Sequence, residues 1–133
     1  MSESGKYEKV PRPESVKALI QYLSSNPLVL EVEHLSEQKI IVRRIGKSDL
    51  QVFMTNVYIV GISDVHDILS VAPDVNAIVT MSAWNGYTQD AKDSCKRQKI
   101  GLFLFAEFLG AAYYDGDKFF NYTTPDKSKK DKK

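Results

Sequence analysis

The run "LQVFMTNVYIV", residues 50–60, carries no charged side chain. Successive side chains of a strand point to opposite faces of the sheet. A strand without charge on either face has to be covered on both sides. It therefore belongs in the middle of a sheet, with a layer above it and a layer below.

The segments before this run supply its antiparallel neighbours. Pro11 and Pro13 suit the first turn of a helix. Val16, Leu19, Ile20 and Leu23 follow at i, i+3, i+4 and i+7, one apolar stripe. Ser25-Asn26-Pro27 ends that helix. "LVLEVEHL", residues 28–35, alternates, with Leu30, Val32 and His34 expected on one face. "KIIVRRI", residues 39–45, is rich in β-branched residues. Ser36-Glu37-Gln38 predicts a hairpin between them, and "GKSD", residues 46–49, a second turn.

After residue 60 the period lengthens. Ser63 is the expected N-cap and Asp64 suits the positive end of a helix. Val65, Ile68, Leu69 and Ala72 form its stripe, with Pro73 beyond. "VNAIVTM", residues 75–81, and "IGLFLF", residues 100–105, are short buried strands. Between them Thr88 caps a helix whose C-terminal end gathers Lys96, Arg97 and Lys99. Ala106–Tyr113 predicts a short helix, and Asp115-Gly116 a tight turn into a last strand, Phe119–Tyr122. Strands joined by helical crossovers are parallel. The expected fold is α/β: an antiparallel meander followed by parallel strands, one mixed sheet with helices on both faces.

The chain of 133 residues, 43% hydrophobic, suits one domain over 13–123, with a flexible lead-in at 1–12. The last ten residues, 124–133, are a Lys-rich tail. Its "DKSKKDKK" contributes +3 to the net charge of +1, which leaves the rest of the chain at −2. A dedicated DNA-binding domain is clearly basic, and this body is not. The single cysteine, Cys95, excludes an internal disulfide and a Cys-rich zinc site. No run is long enough for a membrane span and the N-terminus does not read as a signal peptide, so a cytoplasmic protein is expected.

Chemistry is expected at the carboxyl ends of the parallel strands, where open α/β sheets hold ligands. "SAWNGYT", residues 82–88, occupies such an end and opens a helix. Ser82 and Asn85 offer hydrogen bonds, and Trp84 and Tyr87 offer stacking surfaces. Lys92, Lys96 and Lys99 fall at i, i+4 and i+7, a stripe suited to a phosphate backbone or to plain solvation. The two histidines, His34 and His66, lie on different elements. No Walker loop, Gly-x-Ser-x-Gly elbow or dinucleotide fingerprint is present.

The element order and the segment "VNAIVTMSAWNGYTQDAKDSCKRQKIGLFLFAEFLGA" resemble the later half of the restriction endonuclease-like superfamily, in its Mrr-type branch. There a strand ending in Thr and Ser leads to a turn, a "T..A" helix start, a helix with basic residues and a short apolar strand. The matching stretches here are Ile78–Ser82, Thr88–Ala91, Lys92–Lys99 and Ile100–Phe105. The resemblance implies metal-dependent cleavage of nucleic acid. Its carboxylates would hold magnesium, and the Lys of an acidic (or Gln)-x-Lys triplet would stabilise developing charge. The strand 50–60 is the natural place for that triplet and does not contain one. Asp49 can imitate one ligand. Glu37-Gln38-Lys39 is a formal match elsewhere, with Glu31 or Glu14 as a second carboxylate.

The expectation is therefore a nuclease-like domain without a catalytic metal site or other cofactor. It would bind nucleic acid or a protein partner, in DNA processing or defence. One alternative is a magnesium-dependent nuclease using Glu37, Lys39, Asp49 and Glu31. The other is a protein-interaction module with no nucleic-acid role, self-associating through its aromatic-rich end.

Overall fold

The computed structural model describes residues 10–123. Most of the lead-in and all of the tail lie outside them. The described elements run α1 (Pro13–Ser24), β1 (Val29–Ser36), β2 (Lys39–Arg44), β3 (Lys47–Thr55), β4 (Ile59–Val60), α2 (Ile62–Val71), β5 (Ala77–Thr80), β6 (Gly86–Tyr87), α3 (Gln89–Arg97), β7 (Gly101–Leu104), α4 (Phe105–Ala111) and α5 (Asp117–Phe120).

Five strands form one mixed sheet in the order β1-β2-β3-β5-β7. The hairpins β1–β2 and β2–β3 are antiparallel. β3–β5 and β5–β7 are parallel. β3 is the middle strand, as the uncharged run from Leu50 onward requires, and Val52–Thr55 are buried in succession. Alternate side chains enter two separate cores. Leu50, Val52 and Met54 pack with Val16, Leu19 and Leu23 of α1 and with Phe108 and Phe119 of α4 and α5. Phe53 packs with Val65 and Ile68 of α2 and Ala91 and Cys95 of α3.

The second layer covers only part of its face. Its sheet residues are Phe53, Ile78 and Leu102, from β3, β5 and β7. On the same side of β1, β2 and the start of β3 stand Glu31, Glu33, Arg43 and Asp49, which meet solvent.

Several local expectations change. The run 50–60 is not one strand. β3 ends at Thr55, and β4 belongs to a separate two-stranded sheet with β6. The "GKSD" turn contracts to Ile45-Gly46, with Gly46 at φ 68°, and Lys47–Asp49 join β3. In β1 the register slips between Val29 and Glu31, so Val29 and Val32 pack against the core while Leu30 is exposed. Ser63 lies inside α2. Gly61 caps that helix instead, and its N–H donates to Asp64 Oδ2 at 2.9 Å.

The predicted last strand is also absent. Asp117–Phe120 is a short helix begun by Gly116 at φ 62°. That turn drives Phe119 between Phe103 and Phe108, with ring centroids 5.0 and 6.4 Å away, and leaves Asp117 and Lys118 outside.

Arg44 ties this C-terminal end to the hairpins. Its side chain is fully buried. It donates to Ser48 O, Ala112 O and Tyr114 O and pairs with Asp115 Oδ1 at 3.0 Å. Burial lowers the guanidinium pKa, against the opposing pull of Asp115. Removing the cation strands several buried acceptors at once. Arg44→Ala should cost about 3–5 kcal/mol in urea denaturation. Arg43→Ala, one residue away on the solvated side, should leave the midpoint near wild type.

Candidate functional site

β3 and β5 end side by side, with Thr55 opposite Thr80. Beyond them the backbone leaves the sheet, and its polar groups need partners. Thr80 Oγ1 donates to Val57 O at 2.7 Å. Ser82 Oγ donates to Asn56 Oδ1 at 2.6 Å, and Asn85 Nδ2 donates to Asn56 Oδ1 at 3.0 Å and Thr80 Oγ1 at 2.9 Å. Asn85 is buried. Ser82 and Asn85 thus hold the loop rather than face a ligand.

The loop then pairs with β4. Gly86 N–H donates to Tyr58 O at 2.7 Å, and Thr88 N–H to Val60 O at 3.0 Å. Thr88 also caps α3, accepting from Ala91 N–H at 3.0 Å. Around this small sheet several large apolar side chains face solvent. Trp84 is 68% exposed, Tyr58 63%, Ile62 50% and Ile59 47%.

Tyr87 behaves differently from Trp84. Its hydroxyl donates to both carboxylate oxygens of Glu107, at 2.8 and 3.0 Å. Glu107 Oε1 also accepts the Leu104 N–H at 3.1 Å, so the carboxylate caps α4. Burial, reinforced by Glu107, raises the Tyr87 pKa above the ordinary phenol range.

Lys92 lies beside this pair and is only 1% exposed. Its ammonium donates to Leu102 O at 2.6 Å and Tyr122 O at 3.1 Å. It stands 4.4 Å from the Phe103 ring centroid and 5.2 Å from that of Tyr87. The surface stripe of Lys92, Lys96 and Lys99 is therefore corrected on two counts. Lys92 points inward, because Ala91, Lys92 and Cys95 form the buried face of α3. Lys99 lies past the helix end at φ 63°. Lys96 alone stays on the half-open face, 3.9 Å from Asp93.

Burial pushes the Lys92 pKa down to about 8, with Glu107 opposing and Lys96 assisting. Burial pushes the Cys95 thiol up to about 11. A lysine with lowered pKa beside a tyrosine and a carboxylate is a general acid–base set in composition. Here Phe103, Tyr87 and the C-terminal carbonyl enclose the amine, so the set ties β6, α3, β7 and α4 together.

The nuclease candidates do not meet. Glu37 sits in the β1–β2 turn, exposed, and Lys39 begins β2 opposite Phe53. Glu14 is on α1, over the opposite face of the sheet. Glu31 and Asp49 do share a face, and they converge on Arg43. Its guanidinium lies 2.8 Å from Glu33, 3.8 Å from Glu31 and 4.0 Å from Asp49. The Glu33 hydrogen bond is the main cause of a raised Arg43 pKa. Among the described residues, no group of three or more His, Cys, Asp or Glu could hold a metal ion. None of the described helices is long and apolar enough to cross a membrane.

Sequence reasoning missed Asn56, Tyr58, Arg43's central place and Glu107. Asn56, a lone amide inside an apolar run, and Glu107, an acid three residues after a strand end, were the available signals. Comparison with family models, curated proteins and solved structures found no match to the chain.

Three predictions follow from this geometry. Asn85→Ala removes the buried bond to Thr80 Oγ1 and one of the two donors to Asn56 Oδ1, and should cost about 1–3 kcal/mol. Trp84→Ala should stay within about 0.5 kcal/mol in the same denaturation assay, because its ring faces solvent. The third concerns pH. Folding lowers the Lys92 pKa from 10.5 to about 8, so above pH 8 the unfolded chain binds more protons and stability rises with pH. Cys95 works the other way above its ordinary 9.0, so the clean window is pH 8 to 9. Across it, wild type should gain about 1 kcal/mol relative to Lys92→Met.

Proposed function

We propose that this chain is a non-catalytic domain of restriction endonuclease-like architecture that works by docking a protein partner at the Trp84 edge. The observation that carries this reading is the character of that edge. Trp84, Tyr58 and Ile59 are exposed together around one small sheet. Asp67 and Asp90 are exposed on the helices that follow β4 and β6. Nucleic-acid affinity rests on cations placed against phosphates. An uncharged aromatic edge with acidic surroundings favours a protein surface instead.

The element order, with a helix and three meandering strands before the crossovers, supports the architectural part. The Arg43 cluster supports the non-catalytic part. A divalent cation bound by Glu31 and Asp49 would have to displace a guanidinium already held by Glu33 at 2.8 Å.

The test is incubation of the full chain with DNA and RNA at low salt, with magnesium or manganese. No cleavage is expected, and any weak oligonucleotide binding should be unchanged in Trp84→Ala. Cleavage that disappears in Glu37→Ala or Asp49→Ala would make the chain a nuclease. Oligonucleotide binding that disappears in Trp84→Ala would make the edge a nucleic-acid site.

A further inference from the structure

The hydrogen-bond direction in the small sheet leaves one strand edge open. In a parallel pair, alternate residues of a strand bond to the same neighbour. The carbonyls of Tyr58 and Val60 both accept from β6, at Gly86 and Thr88. The N–H and C=O of the residue between them, Ile59, therefore point away from β6. β4 has no other strand partner among the described residues. The side chains of Ile59, Tyr58 and Ile62 are exposed, as is that of Trp84, two residues before β6.

Proteins ordinarily blunt such an edge with Lys, Pro or a covering element. Residues 48–72 contain neither Lys nor Pro. The helices that follow the two short strands carry exposed acids. Asp64 and Asp67 lie on α2, which starts directly after β4, and Asp90 lies in the first turn of α3, which follows β6. Asp67 and Asp90 are exposed.

We propose that the outer edge of β4 accepts an extended segment of a partner protein as an added strand. The segment would ladder to the N–H and C=O of Ile59, lay apolar side chains on Tyr58, Ile62 and Trp84, and bring Lys or Arg to Asp67 and Asp90. Strand addition supplies affinity through the main chain and specificity through alternate side chains. The acidic rim selects a basic partner. This proposal rests on the protein-docking reading of the Trp84 edge and deepens it.

The chain's only tryptophan reports on its own site. The probe is an end-blocked peptide with an alternating Val/Thr core and Lys at both ends. Two controls share its core: one carries Asp at the ends, and one carries N-methyl groups on the backbone amides. Binding is read from the Trp84 emission maximum and from acrylamide quenching, with the Ile59 amide followed by NMR. The Lys-ended peptide should shift Trp84 emission to the blue and shield it from quencher. The Asp-ended and N-methylated peptides should each bind at least about tenfold more weakly. Ile59→Pro, which removes the outward N–H along with the side chain, should weaken the Lys-ended peptide more than Ile59→Ala, which keeps the N–H.

Equal binding of the N-methylated peptide overturns strand addition and leaves the docking edge standing. Equal binding of the Asp-ended peptide overturns the basic partner. Shielding that grows with protein concentration alone makes a second copy the occupant and also overturns the proposal. So does the absence of shielding by any peptide. None of these outcomes touches the protein-docking reading itself, which falls on oligonucleotide binding lost in Trp84→Ala.

Discussion

Phe53 and Met54 are neighbours in the chain and sit in different cores. β3 is hydrogen-bonded along both edges and packed on both faces, so none of its polar backbone can reach water where it is buried. This arrangement must stop where the next helix has to cross over the sheet. The chain leaves β3 at Thr55, and the backbone of 56–58 passes above the ends of its former neighbours. Thr80 meets the Val57 carbonyl there, and Ser82 and Asn85 meet the Asn56 side chain. The polar character of the Trp84 loop is thus a consequence of burying β3, and only its outward side chains are left over for binding.

Among the described residues two cations lie inside, and both are satisfied mainly by carbonyl oxygens. Arg44 takes the carbonyls of Ser48, Ala112 and Tyr114, and Lys92 those of Leu102 and Tyr122. For Arg44 two of these acceptors, and for Lys92 one, come from the last part of the described chain. The two buried charges therefore fasten the C-terminal end to the body from two sides. Gly101 belongs to the same assembly. A Cβ there would collide with the Phe103 ring and approach that of Phe119, so only glycine lets the aromatic cluster close over β7.

The strand order was legible because burial on both faces leaves uncharged runs in sequence, and because helical and strand periods differ. The break at Asn56 was not. Val57–Val60 keep a high β propensity, and alternation does not mark the point where a chain changes sheets. Phe119–Tyr122 failed for a related reason. Four residues cannot separate a period of 2 from one of 3.6, and the space between Phe103 and Phe108 decided the outcome. At the site, Thr88 was readable as a cap because its partner is three residues away. The burial of Lys92 was not, because the carbonyls that hold it lie ten and thirty residues further along.

Cys95 adds a kinetic handle to this picture. It is the chain's one thiol, and it lies buried one helical turn from Lys92. Its raised pKa keeps it protonated at neutral pH, and thiol reagents act on the thiolate. Modification then requires α3 to lift from the sheet. The rate of labelling therefore measures how often that layer opens, while the rest of the molecule can still be folded.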